Sequence, residues 1–476
     1  MSLLKQGTLV AGSRLLDKLM SLAIVLVMSR HFGEEGLGEF NYFFSLVSLF
    51  APMMDLGAGM TLLQRWHDRD ERGRRVLLTQ LIVLKCAMGL LALSLAMGGD
   101  VLNQWSNARP LAVCAAFLAF FLDDFSELLR RPAQAQGHMA LESTLPLVSR
   151  TAQLIGVLLF LNRMANAYQA LYIYAAANAL EALASIYGTK GCAPTVLSGL
   201  HKADWRELIR NGFPFALSSL FVMAMLHFDT VLLRHYSLKE AGAYSAATRI
   251  IMVLNVLNGG ICHALFPKIM KAKADRDAGH AGWLINGTLR GFTILFGGIA
   301  IGGAVVGNGL MLALYGDKFT ETGPIFRVLS PLILCAAYFS LLGQTLEILG
   351  QQRKVMYVYA VSAAVNILGN VLLIPHFGMH GAAAATILSQ LYAVAMLFRL
   401  IFKNEHVKMY RDGIGRSVLF LSLLGALYVP LYWLNVWIAV PLGALIFAAL
   451  LLPYRKYWLE GMGRLDNSKF KIQNSK

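Results

Sequence analysis

VLLTQLIVLKCAMGLLALSLAM, residues 76–97, is the stretch whose reading decides the fold. At about 1.5 Å per residue its helix is about 33 Å long, enough to cross the hydrocarbon core of a bilayer. The apolar residues run on without alternating, which excludes a strand of a membrane β-barrel. One charge, Lys85, sits near the middle, and the run is entered through Arg72, Arg74 and Arg75. Runs of this kind recur along all 476 residues, of which 57% are hydrophobic and 14% charged. A soluble domain carries roughly 25% charged residues. The chain is therefore an all-α integral membrane protein rather than a soluble enzyme.

Working outward from residues 76–97, the expected spans are 5–28, 37–63, 76–97, 111–131, 139–161, 166–187, 208–233, 241–266, 284–314, 322–349, 354–374, 380–402, 415–434 and 436–454, about fourteen transmembrane helices. Loops on alternate sides differ in Lys and Arg by about 28 to 6. The positive-inside rule then places both termini in the cytoplasm. This asymmetry also accounts for the net charge of +15, without nucleic acid as a partner. The expected organisation is a six-helix bundle over 1–188, a cytoplasmic linker over 189–207, a second six-helix bundle over 208–403, an extra helix pair over 404–458 and a polar cytoplasmic tail over 459–476. The first run contains Arg14, Asp17 and Lys18 and lacks a small-residue cleavage site, so it reads as a retained helix. Five cysteines, none in a CxxC pair, read as packing residues and not as disulfides or metal ligands.

No P-loop, HExxH or GxSxG motif occurs. The chain is accordingly expected to be neither an enzyme nor a self-contained ATP-driven pump, and to need no cofactor or metal. The residues able to do chemistry are the charges inside the spans, each costing roughly 2.5–3.5 kcal/mol at a helix centre. Arg290, Arg327 and Arg399 lie close enough to span ends to snorkel. Lys85 and Arg150 lie near the midplane, and Arg14 and Arg249 eight or nine residues in. These must line a cavity or pair with an acid. With Lys18, on the face of Arg14, they form the candidate substrate-binding set. Asp17, Asp124 and Asp229 are the candidates for binding a coupling ion. Two bland alternatives stand beside these roles: a local Arg14–Asp17 pair, and an Arg249–Asp229 pair between neighbouring helices. Gly298/Gly302 and Gly303/Gly307 have the spacing of close helix packing. Pro52, Pro146, Pro214 and Pro331 should bend their helices.

An internal repeat supports two halves. Arg30-His31-Phe32, Gly38 and Phe40 recur as Arg234-His235-Tyr236, Gly242 and Tyr244, all at an offset of 204 residues. Six spans lie between them, so the repeat is parallel, an arrangement of transporters.

The stretch SRHFGEEGLGEFNYFFSLVSLF (29–50) resembles the first-helix end of the polysaccharide transporter family, which includes O-antigen flippases. NGFPFALSSLFVMAMLHFDTVLLRHYSLKEAGAYSAATRI (211–250), LYGDKF (314–319) and VNILGNVLLIPHFGMHGAAAATILS (365–389) resemble its second half. The family belongs to the multidrug/oligosaccharidyl-lipid/polysaccharide exporter superfamily. The resemblance implies two six-helix bundles around a central cavity, working by alternating access in a bacterial inner membrane. It implies undecaprenyl-pyrophosphate-linked oligosaccharide as substrate, moved toward the periplasm, with a polysaccharide polymerase and other assembly proteins as partners beside membrane lipids. Arg14 in SRLL and Arg249 in AATRI match cationic positions of lipid-linked-sugar flippases. The extra helix pair also resembles that of lipid II flippases, which keeps that branch open. A multidrug cation antiporter of the same superfamily and a membrane glycan polymerase are the competing readings. The first would want a cavity dominated by carboxylates, the second a sizeable outer loop.

Overall fold

The structure, a computed structural model, describes residues 3–59, 62, 66, 70–104, 109–135, 139–188, 202–407 and 414–451. Some helical side chains within these ranges, Arg14 and Pro214 among them, are also outside the description. Among the described residues thirteen α-helices of eight or more residues follow in order: α1 (Leu3–Asp55), α2 (Glu71–Gln104), α3 (Pro110–Ala135), α4 (Met139–Phe160), α5 (Ala170–Gly188), α6 (Lys202–Tyr236), α7 (Leu238–Ala274), α8 (Ala278–Tyr315), α9 (Thr322–Leu329), α10 (Leu332–Ile348), α11 (Gln352–Phe402), α12 (Ile414–Tyr428) and α13 (Val436–Leu451). No strand occurs among the described residues. Without water in the bilayer core, a helix is the element that satisfies its own backbone.

The helices fall on the expected spans, but two pairs of spans are joined. α1 has 53 residues and α11 has 51, each over twice the length that crosses a bilayer. Each is folded at one glycine: Gly33 (φ +73°, ψ −168°) and Gly378 (φ +53°, ψ −133°). A side chain at either position would strain that backbone. The loops expected between those spans are therefore single-residue breaks. Among the described residues six single helices are long and apolar enough to cross a membrane, and α9 with α10 makes a seventh, bent by 44°. Pro331 stands at that bend, where the sequence placed it. Pro52 and Pro146 lie inside helices that continue past them. α1 and α3, which carry Asp17, Lys18, Asp123 and Asp124, are not among the seven.

In the first half α1 packs against α2, α3 and α4, and α3 against α5. In the second, α6 packs on α11, α10 on α11, and α8 on both α9 and α10. The seam between the halves is α1 against α6 and α7. At one end of the seam Gly38 and Gly242 cross backbone on backbone. An ideal Cβ on Gly38 would lie 3.0 Å from the Gly242 nitrogen, and one on Gly242 3.1 Å from the Gly38 nitrogen. Each would also run into a carbonyl of the other half, Leu238 and Glu34 respectively. All four positions are related by the offset of 204, so the local two-fold axis of the repeat passes through this crossing. Toward the other end Gly57 (φ +70°) lies against Gly212, with an ideal Cβ on Gly57 3.1 Å from the Gly212 Cα.

The C-terminal pair docks on α8 through glycines. Gly297 faces Leu421, Gly298 faces Phe447, Gly302 faces Tyr428 and Gly309 faces Val436. Gly303 and Gly307 face the other way, onto Phe326 and Arg327 of α9. Lipid is as apolar as a side chain, so close packing of this kind is what holds membrane helices together. Arg327 does not snorkel: its Nε donates to the Ala304 carbonyl at 2.7 Å and its guanidinium lies over Tyr432.

Candidate functional site

Helix α1 carries a polar stripe, Asn41, Ser45 and Ser48, on the face it presents at the seam. This is the i, i+4, i+7 pattern of one helix face. Two side chains of the second half reach across to it. Arg249 on α7 donates from Nη2 to Asn41 Oδ1 at 3.3 Å, and its guanidinium lies 5.4 Å from the centre of the Phe44 ring. His227 on α6 meets Ser45 Oγ through Nδ1 at 3.1 Å. Among the described residues no carboxylate pairs with Arg249. The alternative Arg249–Asp229 pair is not formed. A half-buried guanidinium held by one amide and one ring keeps most of its five donors for something else.

Arg150 on α4 lies on the same interior. Its Nε donates to Asp17 Oδ1 at 2.8 Å and its Nη1 to Gln153 Oε1 at 2.7 Å. Gln153 and Ser149 both donate to Asn178 Oδ1, and Asn178 donates to the Ala119 carbonyl, so Arg150 is oriented by a buried polar chain. Asp17 thus finds a cation 133 positions away; Arg14, its expected local partner, lies outside the described side chains. Lys18 is half exposed and 3.4 Å from Asp17. Asp123 on α3 is exposed and lies within the field of Arg150. The fields of both Arg150 and Arg249 reach Tyr174 on α5, so the two arginines flank one region.

Lys85 is different. Its side chain has 0% exposure, and its ammonium is bound to Asp124 and lies 3.3 Å from Asp55. A cation already facing two carboxylates has no net charge to offer an anion. The sequence marks Lys85 as a deep candidate substrate ligand and Asp124 as a candidate for binding the coupling ion. Asp55, close in sequence to the Gly57–Gly212 contact, is the partner that was not foreseen.

Asp229 on α6 is 2% exposed and has no cation beside it among the described residues. Tyr244 Oη donates to Oδ2 at 2.6 Å and the Thr230 amide to Oδ1 at 2.6 Å, with Thr386 Oγ1 3.4 Å from Oδ2. Asn366 Nδ2 lies 3.3 Å from Thr386 Oγ1 and Asn370 donates to Asn366 Oδ1 at 3.0 Å, while Asn370 Oδ1 is buried without a partner. A buried carboxylate with hydroxyl and amide oxygens beside it suits a hard cation. No group of three or more His, Cys, Asp or Glu side chains that could hold a metal ion occurs among the described residues. Asn41, Tyr244, Thr386 and Asn366 are not site candidates in the sequence, because they are uncharged; Tyr244 enters there only through the repeat and Asn366 only through the family resemblance. Their one local signal is a polar residue recurring on a helix face in an apolar run.

Known proteins share both the sequence and the shape. The chain is 30% identical over 223 residues to the probable flippase AglR of Haloferax volcanii, covering 45% of each protein. It is 21% identical over 378 residues to the probable low-salt glycan biosynthesis flippase Agl15 of the same organism, covering 77% of this chain and 76% of that one. Among solved structures, lipid II flippase MurJ in an inward closed conformation superposes with a TM-score of 0.76 at 12% identity, covering 94% of this chain and 99% of that one. An inward-facing multidrug resistance MATE transporter of the MOP superfamily superposes with a TM-score of 0.64 at 13% identity, covering 86% and 96%. These two likenesses are of fold. The match to the family described as polysaccharide biosynthesis protein runs over residues 3–273. More than half of the chain lies within that match, and the protein, a multi-pass membrane protein with the fold of MurJ and the MATE transporters, belongs to the polysaccharide biosynthesis protein family.

Proposed function

We propose that the protein is a flippase that carries undecaprenyl-pyrophosphate-linked oligosaccharide from the cytoplasmic to the periplasmic leaflet of a bacterial inner membrane by alternating access. Both termini are then cytoplasmic, and the Gly38–Gly242 crossing lies at the periplasmic end. The observation that carries the reading is Arg249: a guanidinium at the seam of the two halves, held by Asn41 and Phe44 with no carboxylate among the described residues. A pyrophosphate is the natural complement of such a group, because a guanidinium offers paired donors to phosphate oxygens. Arg150, oriented by its buried chain, supplies a second donor group for the same anion, and Lys18 on α1 stands beside its partner Asp17; Arg14, whose side chain lies outside the description, stays a candidate ligand from the sequence. The lipid tail stays in the bilayer while the halves rock about the headgroup. Asp229 is read as the coupling site, binding a proton or hard cation at the oxygens around Thr386 and Asn370. The names of the two Haloferax volcanii relatives, a probable flippase and a probable low-salt glycan biosynthesis flippase, support a flippase of glycan biosynthesis. A cation antiporter would instead need a carboxylate free of partners at the position of Arg249.

The test is transport by purified protein in vesicles, using a synthetic undecaprenyl-pyrophosphate disaccharide whose sugar is oxidised by an impermeant reagent once it faces out. Loss of a hydrogen bond to a charged group costs about 1.5–3 kcal/mol, or about 10- to 150-fold. Arg249→Lys keeps the charge and loses the fork, and is expected to fall by at least the lower figure with normal protein yield. Unchanged transport by Arg249→Lys and Arg249→Ala would refute the assignment.

A further inference from the structure

Glu34 follows the break at Gly33 in α1, outside the expected spans 5–28 and 37–63. It is 5% exposed, and neither carboxylate oxygen accepts a hydrogen bond of good geometry. Its own backbone carbonyl is the atom against which Gly242 is pressed. The glutamate is therefore buried by the meeting of the two halves. Unpartnered buried carboxylates are costly when charged, so this residue calls for an explanation.

The neighbours do not supply one. Lys239, at the start of α7, stands 3.9 Å from Glu34 but is engaged by Glu321 at 2.6 Å. The backbone amide of Glu321 faces Glu34 without closing a bond. From α1 itself, Arg30 is turned to the carbonyls of Leu314 and Ala313 at 3.0 Å, His31 is exposed, and Glu35 acts on Lys239. From the turn after α8, Lys318 donates to the His31 carbonyl at 3.3 Å and Asp317 is exposed. Glu240 is engaged by the Met379 amide at 2.6 Å, and His380 shares the cleft of Glu240 and Glu321. Lys239 is shared between Glu34 and Glu321, and the other described cations beside Glu34, Arg30 and Lys318, donate to backbone carbonyls.

We infer that Glu34 is the proton-binding residue of the gate at the Gly38–Gly242 crossing: its carboxyl takes up a proton from the adjoining solution as the halves close and returns it as they part. Burial pushes Glu34 up to about 7, above its ordinary 4.5, with Glu321 adding to the rise and Lys239 opposing it. A group whose affinity for protons is raised in the closed form favours closure as pH falls through about 7. That preference is lost above pH 7 and complete below the ordinary value. In the open form the carboxyl is hydrated and ionised at neutral pH. The pH of the solution at this end thus sets how readily the gate shuts after a substrate has left. The inference rests on the alternating-access reading and is independent of what is carried.

The experiment measures the distance between spin labels at Asn162 and His376 by pulsed electron resonance, in protein whose five native cysteines are replaced. Both residues are exposed and flank the crossing from opposite halves. G38A, which wedges a methyl against Leu238, supplies the open distance. Between pH 8 and pH 5.5 the ratio of closed to open protein is expected to rise at least about three-fold. E34Q, the same shape without the charge, should hold the closed distance at both pH values. A closed fraction unchanged by pH in the wild-type gate overturns the inference without reference to any variant. So does an E34Q protein that keeps the full pH response, which would assign it to His31 or another neighbour. If G38A leaves the distance unchanged, the gate itself is misidentified and the alternating-access reading falls with it.

Discussion

Gly242→Ala is expected to open the seam between the halves. Its Cβ would overlap the Glu34 carbonyl so deeply that α1 and α7 must separate by on the order of 1 Å. The obstacle is backbone, which cannot turn aside as a side chain can. Overpacking of this kind costs about 1–3 kcal/mol, so the closed form should lose about 5- to 150-fold in population relative to the open one. Gly38→Ala meets the Leu238 carbonyl in the symmetry-related way and should give a shift of similar size. The two-fold relation supplies a sharper test. A single separation relieves both overlaps, so the double variant should shift little beyond either single, far from additive. The assay is labelling of Ser45→Cys by an impermeant maleimide in a background without native cysteines. Ser45 is 4% exposed, just beneath the crossing, so its labelling rate reports the open population. Additive shifts, or labelling no faster than in the parent, would refute the idea that this crossing is where the halves part.

Lys85→Met should lower thermal stability sharply, by about 3–5 kcal/mol, because it leaves Asp55 and Asp124 together without their cation. Adding Asp55→Asn and Asp124→Asn should recover most of it in a melting experiment. Were Lys85→Met to melt normally and lose transport alone, Lys85 would be a substrate ligand after all. Asp229→Asn preserves the shape and the acceptor for Tyr244, so the variant should fold and exchange substrate across vesicles at equilibrium yet fail to accumulate it against an ion gradient. Gradient-driven accumulation at the parent rate would move coupling away from Asp229.

Much of the fold was legible because hydropathy is a local property. A run such as 76–97 has to be a helix across a bilayer whatever surrounds it, since its backbone can be satisfied no other way in lipid. The Lys and Arg asymmetry and the offset of 204 residues are likewise countable along the chain. The glycines of α8 announced close packing, although only the structure divides them between the C-terminal pair and α9. The joining of spans at Gly33 and Gly378 was not legible: a short polar stretch between two apolar runs reads as a loop whether or not the helix resumes at the next residue.

The site divides along the same line. Depth in a span is read from position alone, and it marked Lys85, Arg150 and Arg249 with equal force. Depth says that a charge needs a partner; it does not say which. Lys85 finds Asp55 and Asp124, on two other helices. Arg150 finds Asp17, and Arg249 finds an amide and a ring in the opposite half. Sequence by itself determined that this is a helical membrane protein, with cations where lipid does not tolerate them. Tertiary structure alone decided which of those cations are neutralised and which are left with donors to spare. Helix formation is settled by residues a few positions apart, whereas an ion pair in a membrane is settled by which distant helices lie within a few ångströms of each other.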